Sequence, residues 1–289
     1  MPMPRDIGVI DTMIGLPVKE YLTTAYKEIA RGYVGGNLPD VDKVPAGYMF
    51  KGGPDIENVE DPVEHLVSEM DRVGIDIGAI GYRDDEHGAK IASTYSDRFF
   101  RLTSVDPNRG MDGIGDLVTA VEQHGVRGVH IFPAGLLPQV PINDKKMYPI
   151  YAKCVELDIP IFLNAGVPGP RVPMDCQYVG HFDEVCWFFP ELRIVARHGC
   201  EPWEDLMVKL MIKWPNLHYS PSAFAPKHYP RAILDYANTR GADKFVFAGY
   251  YPAGLSLDRT FAELDELELN DDVWPKFLRE NALRIFGEA

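Results

Sequence analysis

Five side chains stand where short β-rich runs give way to loops, and each carries a usable chemistry. His198 closes the run LRIVARHG (192–199). An imidazole titrates near neutral pH, so it can act as a general base or acid, or it can simply be a buried ring bonded to backbone. Asn164, in IPIFLNAG (159–166), and Tyr250, in KFVFAGYYP (244–252), are neutral hydrogen-bond donors. They can hold an oxyanion, or they can only fill space. His130, in VRGVHIFP (126–133), can bind a carboxylate or carbonyl or be an interior histidine. Arg83, after IDIGAIGY (75–82), and Arg171 can each fork onto a carboxylate, although a lone loop arginine is more often solvated. His181 and Glu184 are spaced to pair at i,i+3 on a helix.

These residues need a scaffold that brings strand ends together. Three more β-rich runs read as strands, GVIDTMIGL (8–16), FFRLTSVDP (99–107) and NLHYSPSAF (216–224), making eight with the five already named. Helical patterns lie between the runs. Residues 61–74 place Val63, Leu66, Val67, Met70 and Val73 on one face and stop at Gly74. Similar stripes occupy 144–157, 201–214 and 272–286, most simply as packing against a sheet. Eight strands alternating with helices predict an α/β fold, a single closed (β/α)8 TIM barrel spanning 1–289. No GxGxxG follows the first strand and no GxxxxGK[ST] occurs, so dinucleotide and P-loop folds have no support. A barrel puts its active site at the C-terminal strand ends, where these five residues lie. Segment 33–60 is the longest irregular stretch and is expected to act as a lid, with Tyr48 and Phe50 in it. Phe132, Tyr219, Phe224, Tyr250 and Tyr251 predict an aromatic mouth suited to a flat or apolar substrate.

Composition narrows the partners. Lys+Arg 29 against Asp+Glu 43 gives a net charge of −14, a poor match for nucleic acid or an anionic membrane. No apolar run is long enough for a membrane span, and the start MPMPRDIGVID has no signal core, so a cytoplasmic location is expected. Cys154, Cys176, Cys186 and Cys200 form no CxxC pair and read as reduced thiols.

The motifs IDTMIG, GVRGVHIFPAG, IPIFLNAG, RIVARHG, FVFAGYYPAG and ENALRIFG agree in order and spacing with a known pattern. Through them the chain resembles the amidohydrolase-related family of aminocarboxymuconate-semialdehyde decarboxylase over nearly its whole length. The resemblance implies a metal-dependent-hydrolase type of barrel. It also implies chemistry among decarboxylation, hydration and C–C hydrolysis. Members normally open with Asp-x-His-x-His, both histidines binding metal; here Met13 and Gly15 stand in those places. A third histidine normally ends strand 5, where this chain has Asn164, and the last ligand is an aspartate where it has Tyr250. His198 alone matches, at the place of the family's catalytic histidine. A thioether, a glycine, an amide and a neutral phenol are not a catalytic ligand set, so no metal and no cofactor are expected. The resemblance then implies a hydrolase or carboxy-lyase that cleaves a C–C bond of a small carbonyl-bearing acid or thioester, with His198 as acid or base. Lys43, Lys51 and Lys90 are candidates to meet the phosphates of a CoA thioester. A homodimer, or a dimer with a paralogue, is expected. The competing expectation is a non-catalytic member that partners a metal-bearing paralogue.

Overall fold

The computed structural model describes residues 2–30, 54 and 59–288. The segment expected to form a lid, with Tyr48, Phe50, Lys43 and Lys51, lies outside the described residues apart from 54, 59 and 60.

Among the described residues, seven strands run parallel in sequence order: β1 (Val9–Asp11), β2 (Ile75–Gly81), β3 (Phe99–Ser104), β4 (Gly128–Ile131), β5 (Ile161–Asn164), β6 (Ile194–Arg197) and β7 (Leu217–Tyr219). Parallel neighbours require crossovers, and helices supply them. They are α1 (Lys19–Ala30), α2 (Pro62–Val73), α3 (Glu86–Thr94), α4 (Met111–His124), α5 (Tyr148–Glu156), α6 (Phe182–Phe188), α7 (Glu204–Lys213), α8 (Arg231–Tyr236), α9 (Leu257–Leu264) and α10 (Asn281–Phe286). Helix α2 shows why the local sequence folds this way. Asp61 caps it by accepting from the amides of Val63 and Glu64, Pro62 opens it, and Gly74 closes it at φ 84°.

The eighth expected strand makes a seam instead of a ladder. The Val246 amide donates to the Tyr219 carbonyl, and the Phe247 carbonyl accepts from both the amide and the hydroxyl of Thr12. Only Tyr219 and Phe245 form a regular bridge. This seam closes the sheet onto β1, giving the TIM barrel. The physical reason for the short pairing is that the Phe247 amide donates to the Phe277 carbonyl and not to the neighbouring strand.

Alternation along the strands divides the core in two. Ile10, Ala79, Phe100, Leu102, Phe162, Val195 and Val246 face inward and pack with Ala282, Ile285 and Phe286. The Phe286 ring lies 4.3 Å from Phe100 and 5.5 Å from Phe162, so α10 seals the N-terminal end of the barrel. The alternate residues, such as Ile161, Leu163, Ile194 and Ala196, pack outward under the helices. Tyr219, expected at the mouth, belongs to this outer layer: it is fully buried and its hydroxyl donates to the Gly199 carbonyl. Its register partner is Ala196, an outward position, which is why the phenol points away from the mouth. Tyr251 is likewise largely buried.

Candidate active site

Period-two alternation carries the inward face of each strand to its C-terminal end. On β5, Phe162 is followed by Asn164; on β6, Val195 is followed by Arg197. Asn164 and Arg197 are register partners, so they stand side by side. His130 on β4 is paired with Phe162 in register and faces the same interior.

Arg197 is the central group and was not among the residues the sequence singled out. It is 2% exposed. Its guanidinium lies 4.4 Å over the Phe162 ring, and Nη2 donates to the Thr12 carbonyl at 2.5 Å. Its Nε–H is buried without a partner. Burial lowers its pKa to about 9, against the attraction of Asp11 and Tyr250. The signal that could have found it was present: in RIVARHG, position 197 shares the inward face with Val195.

Asp11 ends β1 and is fully buried. Its Oδ1 accepts from the amides of Met13 (2.9 Å) and Gly249 (3.0 Å), while Oδ2 has no partner. Burial outweighs those two bonds and the pull of Arg197, and pushes its pKa up to about 7.

The chain turns sharply after β6, where His198 takes φ 67° and Cys200 φ 61°. The turn aims the His198 ring at the mouth. Its Nδ1 lies 3.3 Å from the Ser222 carbonyl and 3.1 Å from the Ser222 hydroxyl. A carbonyl only accepts, so Nδ1 carries the proton and Nε2 the lone pair. Nε2 has no hydrogen-bond partner among the described residues. Burial, then the charge of Arg197, lowers the His198 pKa to about 4, leaving the ring neutral at pH 7. The same two causes lower His130 to about 4.

Tyr250 meets His198 edge to face at 5.1 Å between ring centres. Its amide donates to the Met13 carbonyl, and the Gly15 amide donates to the Tyr251 carbonyl, so Met13 and Gly15 line the seam beside it. Burial raises the Tyr250 pKa above its ordinary value, keeping the phenol protonated.

The structure therefore brings His198, Tyr250, Asn164 and His130 together around Arg197. It places Arg83 in another cluster: the guanidinium stacks 3.2 Å over the Tyr21 ring and its Nε pairs with Asp85 at 2.7 Å. Tyr21 also bonds His87. Lys90 is paired with Asp61 and Glu64. His181 bonds the Asp175 carbonyl and Glu184 accepts from Asn143, so each side chain is engaged elsewhere. All four cysteines are free and buried. Among the described residues, no three of His, Cys, Asp and Glu stand together as an ion's ligands, and no helix is long and apolar enough to cross a membrane.

The family model described as Amidohydrolase matches residues 55–287. Among solved structures, the chain is similar to a TIM-barrel protein from Bordetella bronchiseptica: 23% identity, TM-score 0.76, covering 97% of this chain and 98% of that one. It is also similar to a manganese-bound 5-carboxyvanillate decarboxylase from Novosphingobium aromaticivorans, at 16% identity and TM-score 0.64, with 98% of each chain covered. A third is 4-oxalomesaconate hydratase from Rhodopseudomonas palustris, at 17% identity and TM-score 0.61, covering 97% of this chain and 96% of that one. At these identities the likeness is one of fold. No curated protein gave a match.

Proposed function

The chain belongs to the amidohydrolase family, and from that premise we propose that its barrel mouth hydrolyses a C–C bond of a small carbonyl-bearing acid, without a catalytic metal and with His198 as the base. The neighbours described as a decarboxylase and a hydratase of carboxylic acids support this range of chemistry.

The family implies a divalent ion, and the residues present do not fit one. The positions that the resemblance gives to its ligands hold Met13, Gly15, Asn164 and a Tyr250 whose phenol burial keeps protonated. A divalent ion in a catalytic site needs about three N, O or S ligands able to carry its charge. A buried guanidinium beside Asn164 adds repulsion.

The observation that carries the reading is the neutral His198 ring, held through Nδ1 by Ser222 and set edge to face against Tyr250. Nε2 takes a proton from water as the water oxygen bonds to the substrate carbonyl carbon. The carbonyl π pair moves onto oxygen, where the Tyr250 hydroxyl and the Asn164 amide donate to it. Collapse breaks the C–C bond, its electron pair leaves as an enolate, and protonated His198 returns the proton to that carbon. Burial leaves the ring unprotonated at pH 7, the form that can take a proton first, whereas decarboxylation would begin from the protonated ring.

The test is a turnover screen of purified protein against β-keto acids, aryl β-ketoacyl thioesters and hydroxyaryl acids. Hydrolysis of a β-keto substrate, abolished in His198→Ala, is the expected result. Release of carbon dioxide alone assigns the decarboxylating version. No turnover, together with copurification of a metal-bearing paralogue, assigns the non-catalytic role.

A further inference from the structure

A buried guanidinium is an expensive group unless an anion meets it. Arg197 is 2% exposed and no carboxylate lies within 4 Å of it among the described residues, although the other described arginines form many such pairs. It meets a backbone carbonyl and an aromatic face. Asp11, whose charge acts on it, spends one oxygen on two backbone amides and forms no ion pair with it. The cation is thus left short of a counter-charge at the floor of the mouth, directly above Phe162 and beside Asn164.

From this geometry we infer that Arg197 binds the carboxylate of the substrate and so restricts the site to free acids. An oxyanion that exists only in the transition state would leave the resting complex unneutralised, whereas a carboxylate is charged from the moment it binds. A guanidinium also matches a carboxylate with two parallel N–H donors. Phe162 beneath the guanidinium fixes its plane through cation–π contact. His130 and His198, both kept neutral, add no competing positive charge. The inference rests on the proposed active site but is separable from the reaction proposed there.

The test uses benzoate and its neutral isostere benzamide as probes, followed by titration calorimetry or ligand-observed NMR on the full chain. Wild-type protein is expected to prefer benzoate by roughly 30- to 100-fold, the worth of a charge-assisted pair. Arg197→Gln should erase that preference, bringing benzoate to the same affinity as benzamide, and Arg197→Lys should restore part of it. Should Arg197→Gln fail to fold, the wild-type preference and the Arg197→Lys variant still decide. Equal binding of the two probes by wild type, no binding of benzoate, or a benzoate preference that survives Arg197→Gln each overturns the inference. An Arg197-dependent preference in a protein with no C–C cleaving activity leaves the inference standing and removes the proposed reaction. Turnover of a β-keto thioester lacking a carboxylate, undiminished in Arg197→Gln, does the reverse.

Discussion

At the N-terminal end of the barrel, the Phe286 ring lies 4.3 Å from Phe100 and 5.5 Å from Phe162 among Ile10, Val195 and Val246, with the Arg127 guanidinium 4.9 Å over the Phe100 ring. At the C-terminal end, along the same inward faces, stand Arg197, His130 and Asn164, with His198 and Tyr250 in the turns above. Among the described residues, four of the five non-glycine positions with positive φ (His198, Cys200, Ala223 and Tyr250) lie in the loops after β6, after β7 and after the seam. Such conformations cost of order 1–3 kcal/mol each, and they persist where the surrounding packing over-determines them. The orphaned Asp11 Oδ2 and Arg197 Nε are at that end too. One end of the barrel is thus built for stability and the other is held in a costly arrangement by it. That contrast is the physical argument for placing chemistry at the mouth.

The largest effect that separates the two ends is on rate. His198→Ala should lower turnover by about 10²- to 10⁴-fold, the usual worth of a positioned acid–base group, with little change in unfolding midpoint. A variant that keeps its turnover removes His198 from the mechanism. The mirror-image change is Phe286→Ala at the sealed end. Truncating a buried phenylalanine typically costs about 3–5 kcal/mol, so urea unfolding should shift strongly while turnover of the still-folded protein stays near wild type. Loss of rate without loss of stability there would break the comparison.

Much of this division was legible in the sequence. The seven ladder strands fall inside the expected β-rich runs, because each run carries its period-two apolar pattern between clear turn residues. Helix α2 ends at the glycine that marks its stop. What was not legible depends on tertiary direction. Tyr219 and Tyr251 look like mouth aromatics in a linear reading, and only the register with Ala196 shows that Tyr219 points outward. Arg197 was overshadowed by the histidine that follows it, although the alternation from Val195 already put the arginine inside. Arg83 was a loop arginine with a carboxylate two residues on, and that local pairing with Asp85 engages its guanidinium.

Two smaller effects sharpen the account of the mouth. Tyr250→Phe should lower turnover on the order of 10²-fold if the phenol donates to the oxyanion. Asn164→Ala should act likewise, and the pair should be non-additive because both serve one oxygen. A silent Tyr250→Phe in an active protein assigns the phenol a space-filling role.

The last effect is on the pH dependence of stability. Unfolded, Asp11 titrates near 3.8; folded, it holds its proton to about pH 7. Its stabilising contribution is complete below pH 3.8 and is lost as pH rises to 7. His130 and His198, at about 4, and His218, at about 3, run the other way from an ordinary 6.5. Their contributions are complete above pH 6.5 and are lost as pH falls through the folded values. Asp11→Asn removes only the first effect. Its stability relative to wild type should therefore rise between pH 4 and pH 7, by about 1–3 kcal/mol. Parallel stability curves over that range would show that Asp11 is not held protonated.

The central claim is that this barrel works through side chains in the place where its family uses an ion. The most direct measurement is turnover of the substrate identified by the screen, before and after exhaustive chelation, with metal content determined by elemental analysis on the same samples. The account predicts well under one equivalent of zinc, manganese or iron per chain and a rate unchanged by chelation. About one equivalent per chain, with activity lost on chelation and restored by adding the ion back, would contradict it.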